Sequence, residues 1–153
     1  MKKKNIRTAL DALKTIKMPK IEDKALRNGI INDHYTLLKE WDRYERDAKN
    51  LETVHLAPFE EERQKVGELQ QKLQTCTDRK EQLALVQEIN SHEDLLKAIN
   101  DHNKAVADLG EEEVEIKGID HDKFMEEIAK QDFNLGLIEA LYPMFTETKT
   151  KKK

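Results

Sequence analysis

The stretch Ile30–Leu51, IINDHYTLLKEWDRYERDAKNL, decides the fold of this chain. Its apolar and aromatic positions are spaced alternately by four and three residues, the heptad pattern of a helix that packs against another helix. The positions on this seam are Ile30, His34, Leu37, Trp41, Tyr44, Ala48 and Leu51. Ile31, Tyr35 and Leu38 widen the seam on one flank, which indicates contact with more than one partner. The pattern predicts a long helix over 22–54.

The same alternation recurs in Leu85–Val106, LVQEINSHEDLLKAINDHNKAV. The seam positions here are Leu85, Ile89, His92, Leu96, Ile99, Asn103 and Val106. They predict a second long helix over 79–109. Ser91 and Asp94 are also consistent with a fresh helix start, but the constant phase of the seam favours one continuous helix. Two such helices predict a long antiparallel, coiled-coil-like helical hairpin, although a parallel dimer would show the same pattern.

Shorter helices are predicted on either side of these two. Apolar spacing indicates a helix over 6–17 and short helices over 121–142. A helix over 58–76 is expected to begin at Pro58, because proline fits the first helical turn. The sequence leaves open whether Pro58 separates two helices or kinks a single one.

Single residues mark where several of these helices begin and end. Asp78, Asp120 and Asn134 precede apolar-periodic stretches and are predicted N-caps, because a short polar side chain can accept a hydrogen bond from a free amide. Gly110 is expected to end the second long helix.

Val114 and Ile116 alternate with charged residues and make 113–118 the one strand-like segment of the chain. A single strand cannot satisfy its own backbone groups. It must pair with a second short segment, across a dimer, or with another protein. The predicted fold class is therefore mainly α, with a small C-terminal lobe containing one short β segment. We expect a single helical domain over 1–145 and a disordered basic tail over 146–153.

Composition excludes several classes of protein. The chain has 153 residues, 38% of them charged, and a formal net charge of −4. This balance argues against a dedicated nucleic-acid binder, which is usually basic. No apolar run is long enough to span a membrane, and a lone Cys76 supports neither a disulfide framework nor a CxxC zinc site, so a cytoplasmic location is expected. Lysines cluster at 2–4 and 149–153, and we interpret both clusters as solvated tails.

No motif for catalysis or cofactor binding is present, so no enzyme activity, cofactor or metal is predicted. His34, His92 and Asn103 are polar residues on the two apolar seams. Two histidines at one level could share a metal or titrate as a pair. A role in fixing helix register is favoured instead, because a zinc site needs more ligands than these.

Four residues are candidates for contact with a partner. Trp41 and Tyr44 lie on the first seam, where they serve either as core residues or as interface anchors. Val114 and Ile116 lie on the strand-like segment, which another chain could extend. These features predict an interaction protein that binds a protein partner, a second copy of itself, or both.

Four short motifs resemble a family of small proteins encoded by tailed phages and prophages. They are IRTALDAL at 6–13, PFEEER at 58–63, EVEI at 113–116 and LIEALYPM at 137–144. Their order matches the family over most of the chain. The family has no assigned activity, so no site residue is transferred to this sequence.

The resemblance implies an accessory or virion-associated role, in the interior of the host cell or in the virion. Two alternatives stay open. One is a nucleic-acid accessory protein that uses the terminal lysine clusters. The other, the least favoured, is a metal-dependent enzyme built on His34, His92 and nearby carboxylates.

Overall fold

The structure, a computed structural model, describes residues 1–146 and is mainly α-helical with a small two-stranded sheet, which confirms the predicted fold class. The helices are α1 (Ile6–Leu13), α2 (Lys24–Leu56), α3 (Glu60–Thr75), α4 (Arg79–Ser91), α5 (Glu93–Glu111), α6 (His121–Ile128) and α7 (Leu135–Leu141). The strands are β1 (Ile119–Asp120) and β2 (Phe145–Thr146), paired in parallel. None of the helices within 1–146 combines the length and apolarity needed to cross a bilayer.

Side-chain caps fix the starts of four helices. The predicted caps are confirmed: the carboxylate of Asp78 accepts from the amide of Lys80 at 3.2 Å, and Asp120 and Asn134 cap α6 and α7 in the same way. Asp23 caps α2 by accepting from the amide of Leu26 at 2.8 Å. Each cap satisfies an amide that the helix itself leaves free.

Pro58 lies between α2 and α3 without creating a loop. Ala57–Phe59 form one 3-10 turn, and α3 follows directly. Residues 24–75 are therefore 52 consecutive helical residues. Proline has no amide hydrogen, so the hydrogen-bond ladder changes at this turn and resumes after it.

The predicted continuous helix over 79–109 is wrong, because the chain breaks at His92. This residue has φ −82° and ψ 58°, outside the helical region, and its amide donates to the carbonyl of Ile89 at 3.3 Å to close α4. Glu93 and Asp94 then form an acidic first turn that suits the positive end of α5. The structure agrees with the alternative, in which a new helix starts after Ser91. The apolar spacing did not reveal this break, because one non-helical residue leaves the spacing almost unchanged.

Contacts along the chain form two compact units, where the sequence suggested one domain. The first contains Met1–Glu45 and the residues from Leu109 onward. Its fully buried side chains include Ile6, Leu10, Ile21, Ile30, Leu37, Ile119, Phe124, Ile128, Leu141 and Met144. Ile30 and Leu37 thus pack into a core built with α1, α6 and α7, where the sequence analysis expected Leu85–Val106 as their partner.

The second unit is the contiguous segment Arg46–Asp108. In it α3 packs against α4 across the short turn Cys76–Asp78, which forms a helical hairpin. The buried apolar side chains of this unit are Leu56, Val66, Leu69 and Leu95.

The predicted strand over 113–118 is also wrong in its extent, and of the partners left open the structure shows pairing with other short segments of the same chain. Glu113 forms an isolated antiparallel bridge with Lys2, and the amide of Val114 donates to the carbonyl of Met1 at 2.8 Å. The sheet itself begins later, at β1. Thr146, predicted as tail, pairs in β2 with Asp120, and the remaining tail residues, 147–153, lie outside the described part of the chain.

Gly110 does not end a helix, because α5 continues through it to Glu111. A Cβ atom at this position would lie 3.3 Å from Lys4 Cβ and 3.5 Å from Tyr44 Oη. The glycine therefore eases the close approach of Lys4 to α5, because a larger residue would require a shift of a few tenths of an ångström.

Two buried polar side chains hold the linker between α1 and α2. Glu127 accepts from the amide of Glu22 at 2.9 Å, and Gln131 both accepts from the amide and donates to the carbonyl of Lys17 at 3.2 Å. The bond from Glu22 and the ion pair with Lys130 keep the pKa of Glu127 below its ordinary value.

Candidate protein interaction surface

Helix α2 presents two apolar faces, and the core uses one of them. Ile30 and Leu37 are buried, whereas Ile31, Tyr35 and Leu38 are 51%, 61% and 45% exposed. Spacings of four and three place these three side chains in one row along the helix. We call Ile31, Tyr35 and Leu38 the α2 stripe.

The aromatic ring at the centre of the α2 stripe contacts a cation. The Nζ atom of Lys39 lies 4.6 Å from the centroid of the Tyr35 ring. Such a contact orders the ring, while Tyr35 as a whole stays 61% exposed. The stripe therefore offers a large, partly ordered anchor between two aliphatic groups.

A recess of about 550 Å³ adjoins the α2 stripe at Tyr35. One wall is α2, and the other is the segment Glu115–Lys117. Within residues 1–146, the backbone groups of Glu115 and Ile116 form no hydrogen bond. Backbone groups of this kind can pair with an added strand, and the recess can take one of its side chains.

Asp33 holds the outer wall of the recess in place. Its side chain is 1% exposed and accepts from the amides of Lys117 and Gly118 at 3.1 and 3.0 Å. Burial raises the pKa of this carboxyl, and the two amides oppose the rise. Gly118 has φ +82°, the left-handed conformation that glycine adopts readily, so the chain turns here and its amide points at Asp33.

The predicted contact residues have different positions in the structure. Trp41 is half-buried, packs against the first core and lies 5.2 Å from the ring of half-buried Tyr44. The prediction of Val114 as a contact residue is wrong, because its side chain is buried and its backbone pairs with Met1. Ile116 is half-buried and lines the recess. The structure thus brings Ile116, but not Val114, to the candidate surface.

The polar seam residues do not form a common site. His34 is half-buried in the first unit, whereas His92 belongs to the second unit and lies 3.3 Å from a carboxylate oxygen of Glu62. Asn103 is exposed, so its predicted place on a buried seam is wrong. In the described part of the chain, no group of three or more histidine, cysteine or carboxylate side chains could hold a metal ion.

The N-terminal lysine cluster is engaged within the first unit. Lys2 and Lys4 form ion pairs with Glu111, and Lys3 forms one with Glu112. Hydrogen bonds from Lys2 and Lys4 lower the pKa of Glu111 to about 2. These lysines are therefore already matched by carboxylates and are less available to phosphate. The second cluster, 149–153, lies outside the described residues.

A second recess, of about 400 Å³, lies between α1 and the segment 131–140. Its carboxylates are those of Asp11 and Asp132, and Asp11 is paired with Arg7 at 3.4 Å. The other lining groups are mostly short polar or aliphatic side chains. This recess is the weaker candidate, because Phe133, 38% exposed, is the single large apolar side chain exposed among the described residues that line it, whereas the α2 stripe presents three.

Sequence reasoning missed Asp33 and a pair of histidines. Asp33 lies three residues after Ile30 and four before Leu37, which places a charged residue on the apolar face of the helix. A charged residue in such a position is seldom buried without a partner, and this pattern could have identified Asp33. The rings of His55 and His102 lie 6.2 Å apart in the second unit, and His102 Nδ1 is buried without a hydrogen-bond partner in the described residues. No local sequence pattern predicts this pair, because His55 and His102 lie close together only through tertiary contacts.

Comparisons with family models, curated proteins and solved structures gave no match. Arguments about function therefore depend on the residues of this chain alone.

Proposed function

We propose that this protein is a non-enzymatic accessory or virion-associated protein of a phage or prophage, acting by binding another protein in the host cell or in the virion. The α2 stripe carries the proposal. Its three large apolar side chains stay exposed on a helix whose opposite face is already used by a core. Apolar groups grouped in this way on a charged surface are typical of interaction sites.

The recess beside Tyr35 supports the same function. A helix of the partner could lie along the α2 stripe, and an extended segment could pair with the free backbone of Glu115 and Ile116. Both modes use the same small region of the first unit. The phage context is supported by the four motifs of the sequence, and the ion-paired state of Lys2, Lys3 and Lys4 favours protein over nucleic acid as the partner.

The test is capture of a partner with the full chain and two variants. Tyr35→Glu places a charge at the centre of the α2 stripe. Val54→Glu is the matched control, because Val54 lies on the same helix and is 70% exposed outside the stripe. Circular dichroism confirms that both variants keep their helix content.

In lysates of an infected or lysogenic host, we expect the wild-type chain and Val54→Glu to recover the same stoichiometric protein. Tyr35→Glu should lose it. Equal recovery by all three proteins would contradict the proposal, and so would turnover of a small molecule by the purified chain.

A further inference from the structure

The residues around the α2 stripe are symmetric about a point midway between His34 and Tyr35. Three pairs of residues with matching or complementary character lie at equal distances on either side of this point. The pairs are Ile31 with Leu38, Arg27 with Asp42, and Lys24 with Glu45. In both charged pairs the basic member lies towards the N-terminus of α2 and the acidic member towards its C-terminus.

We infer that a second copy of this chain covers the α2 stripe, with the two α2 helices antiparallel about a two-fold axis at that midpoint. The axis brings Ile31 of one copy level with Leu38 of the other. It also brings each basic end level with an acidic end. A parallel pair would instead place like charges together, so the charge pattern selects the antiparallel arrangement. This inference rests on the proposed function, since it names the partner of the same surface.

Three of the four charged residues are free to take part, whereas Arg27 is half-buried and its Nη1 atom donates to the carbonyl of Ile21 at 3.2 Å. Lys24, Asp42 and Glu45 are exposed, and among residues 1–146 none of them forms an ion pair. Lys24 is in the first turn of α2, which contains no acidic residue. A cation there opposes the positive end of the helix dipole, and a carboxylate from a second copy would relieve this repulsion.

The size of the surface predicts a weak dimer. The segment 24–45 is about 33 Å long at 1.5 Å per residue, but its exposed apolar area comes from three side chains. Stable dimers usually bury more apolar surface than this. We expect a dissociation constant on the order of 10–100 μM and a marked sensitivity to salt.

The test is sedimentation velocity of the full chain over a concentration series, with four variants. Lys24→Glu and Glu45→Lys each turn two attractive pairs of the dimer into repulsive ones, and the double variant restores attraction. We expect each single variant to dissociate about tenfold more readily and the double variant to return to within about threefold of wild type. Tyr35→Glu should abolish the dimer, and circular dichroism checks that each variant is folded.

Three results would overturn the inference. The first is a monomer at every concentration up to about 1 mM, far above the expected constant. The second is a dimer that is unchanged by Tyr35→Glu. The third is a dimer in which the double variant is as weak as the single ones, which would indicate another orientation. If the chain is monomeric but Tyr35→Glu still loses a host or phage protein, the inference fails and the proposed function stands.

Discussion

Removal of the Asp33 carboxylate should destabilise the first unit more than any surface change on the same helix. In Asp33→Ala the amides of Lys117 and Gly118 lose acceptors at 3.1 and 3.0 Å, while the buried position keeps water from replacing them fully. The perturbation therefore combines two lost hydrogen bonds with two unsatisfied donors.

The magnitude follows from the number and kind of these bonds. Hydrogen bonds to a charged group contribute about 1.5–3 kcal/mol each, so two of them contribute roughly 3–6 kcal/mol. The raised pKa of Asp33 indicates that the cost of burying the charge exceeds the gain from these bonds to the ionised carboxyl, so the loss in Asp33→Ala comes from the two amides left without an acceptor, at about 1–3 kcal/mol each. We expect a net loss of about 2–4 kcal/mol in the free energy of unfolding. Asp33→Asn should lose less, because its amide oxygen still accepts one bond while its NH₂ group opposes the other amide.

The assay is urea denaturation followed by far-UV circular dichroism. Asp47→Ala is the control, because Asp47 is an exposed aspartate on the same helix and lies outside the proposed dimer contact, and it should stay within about 0.5 kcal/mol of wild type. A loss below about 0.5 kcal/mol for Asp33→Ala would refute the reasoning that Asp33 holds the recess wall.

The pH dependence gives an independent check of the sign. Burial raises the pKa of Asp33 in the folded state above its value in the unfolded chain, so ionisation costs more in the folded protein. Wild type should lose stability relative to Asp33→Asn as the pH rises from the ordinary aspartate pKa through the raised value. If the free energy of unfolding of wild type instead rose relative to that of Asp33→Asn with rising pH across this window, the assignment would be contradicted.

Four further substitutions test other parts of the fold. Because the pKa of Glu111 is lowered to about 2 in the folded protein, its ionised side chain stabilises the folded state above the ordinary glutamate pKa, and this stabilisation is lost as the pH falls towards 2. The melting temperatures of Glu111→Gln and wild type should therefore converge on acidification. Gly118→Ala should lose about 1–3 kcal/mol in urea denaturation, because a Cβ at φ +82° collides with Thr146 Cγ2, whereas Gly67→Ala, with open space on a helix, should gain up to about 1 kcal/mol. Phe124→Ala, at a fully buried position, should lose about 3–5 kcal/mol, and a smaller loss in the same assay would place its ring outside the core.

The helices were predictable from the sequence because their signals are local. Apolar spacing of three and four residues located α1 to α4, and short polar residues located the starts of α4, α6 and α7. The break at His92 was the exception, since one non-helical residue leaves the apolar phase almost unchanged. Likewise, α5 ends at Glu111, one residue after Gly110, and the close contact of Gly110 with Lys4 comes from tertiary structure that the local sequence does not show.

The partners of these elements were harder to predict than the elements. Residues 30, 31, 37 and 38 of α2 are all apolar, so the sequence alone does not tell which pair faces a core. The structure selects Ile30 and Leu37 and leaves Ile31 and Leu38 as the candidate surface. Asp33 was missed for the same reason, because its two amide partners lie 84 and 85 positions away along the chain.

The way the chain is divided has a consequence for its biosynthesis. Arg46–Asp108 is one uninterrupted stretch, so its hairpin can form as soon as that stretch leaves the ribosome. The other unit needs both Met1 and residues such as Met144, so the apolar face of α1 cannot be buried until the chain has been translated as far as Met144. During that interval Ile6, Leu10 and Leu13 lack their final neighbours, and their apolar surface is open to premature contacts.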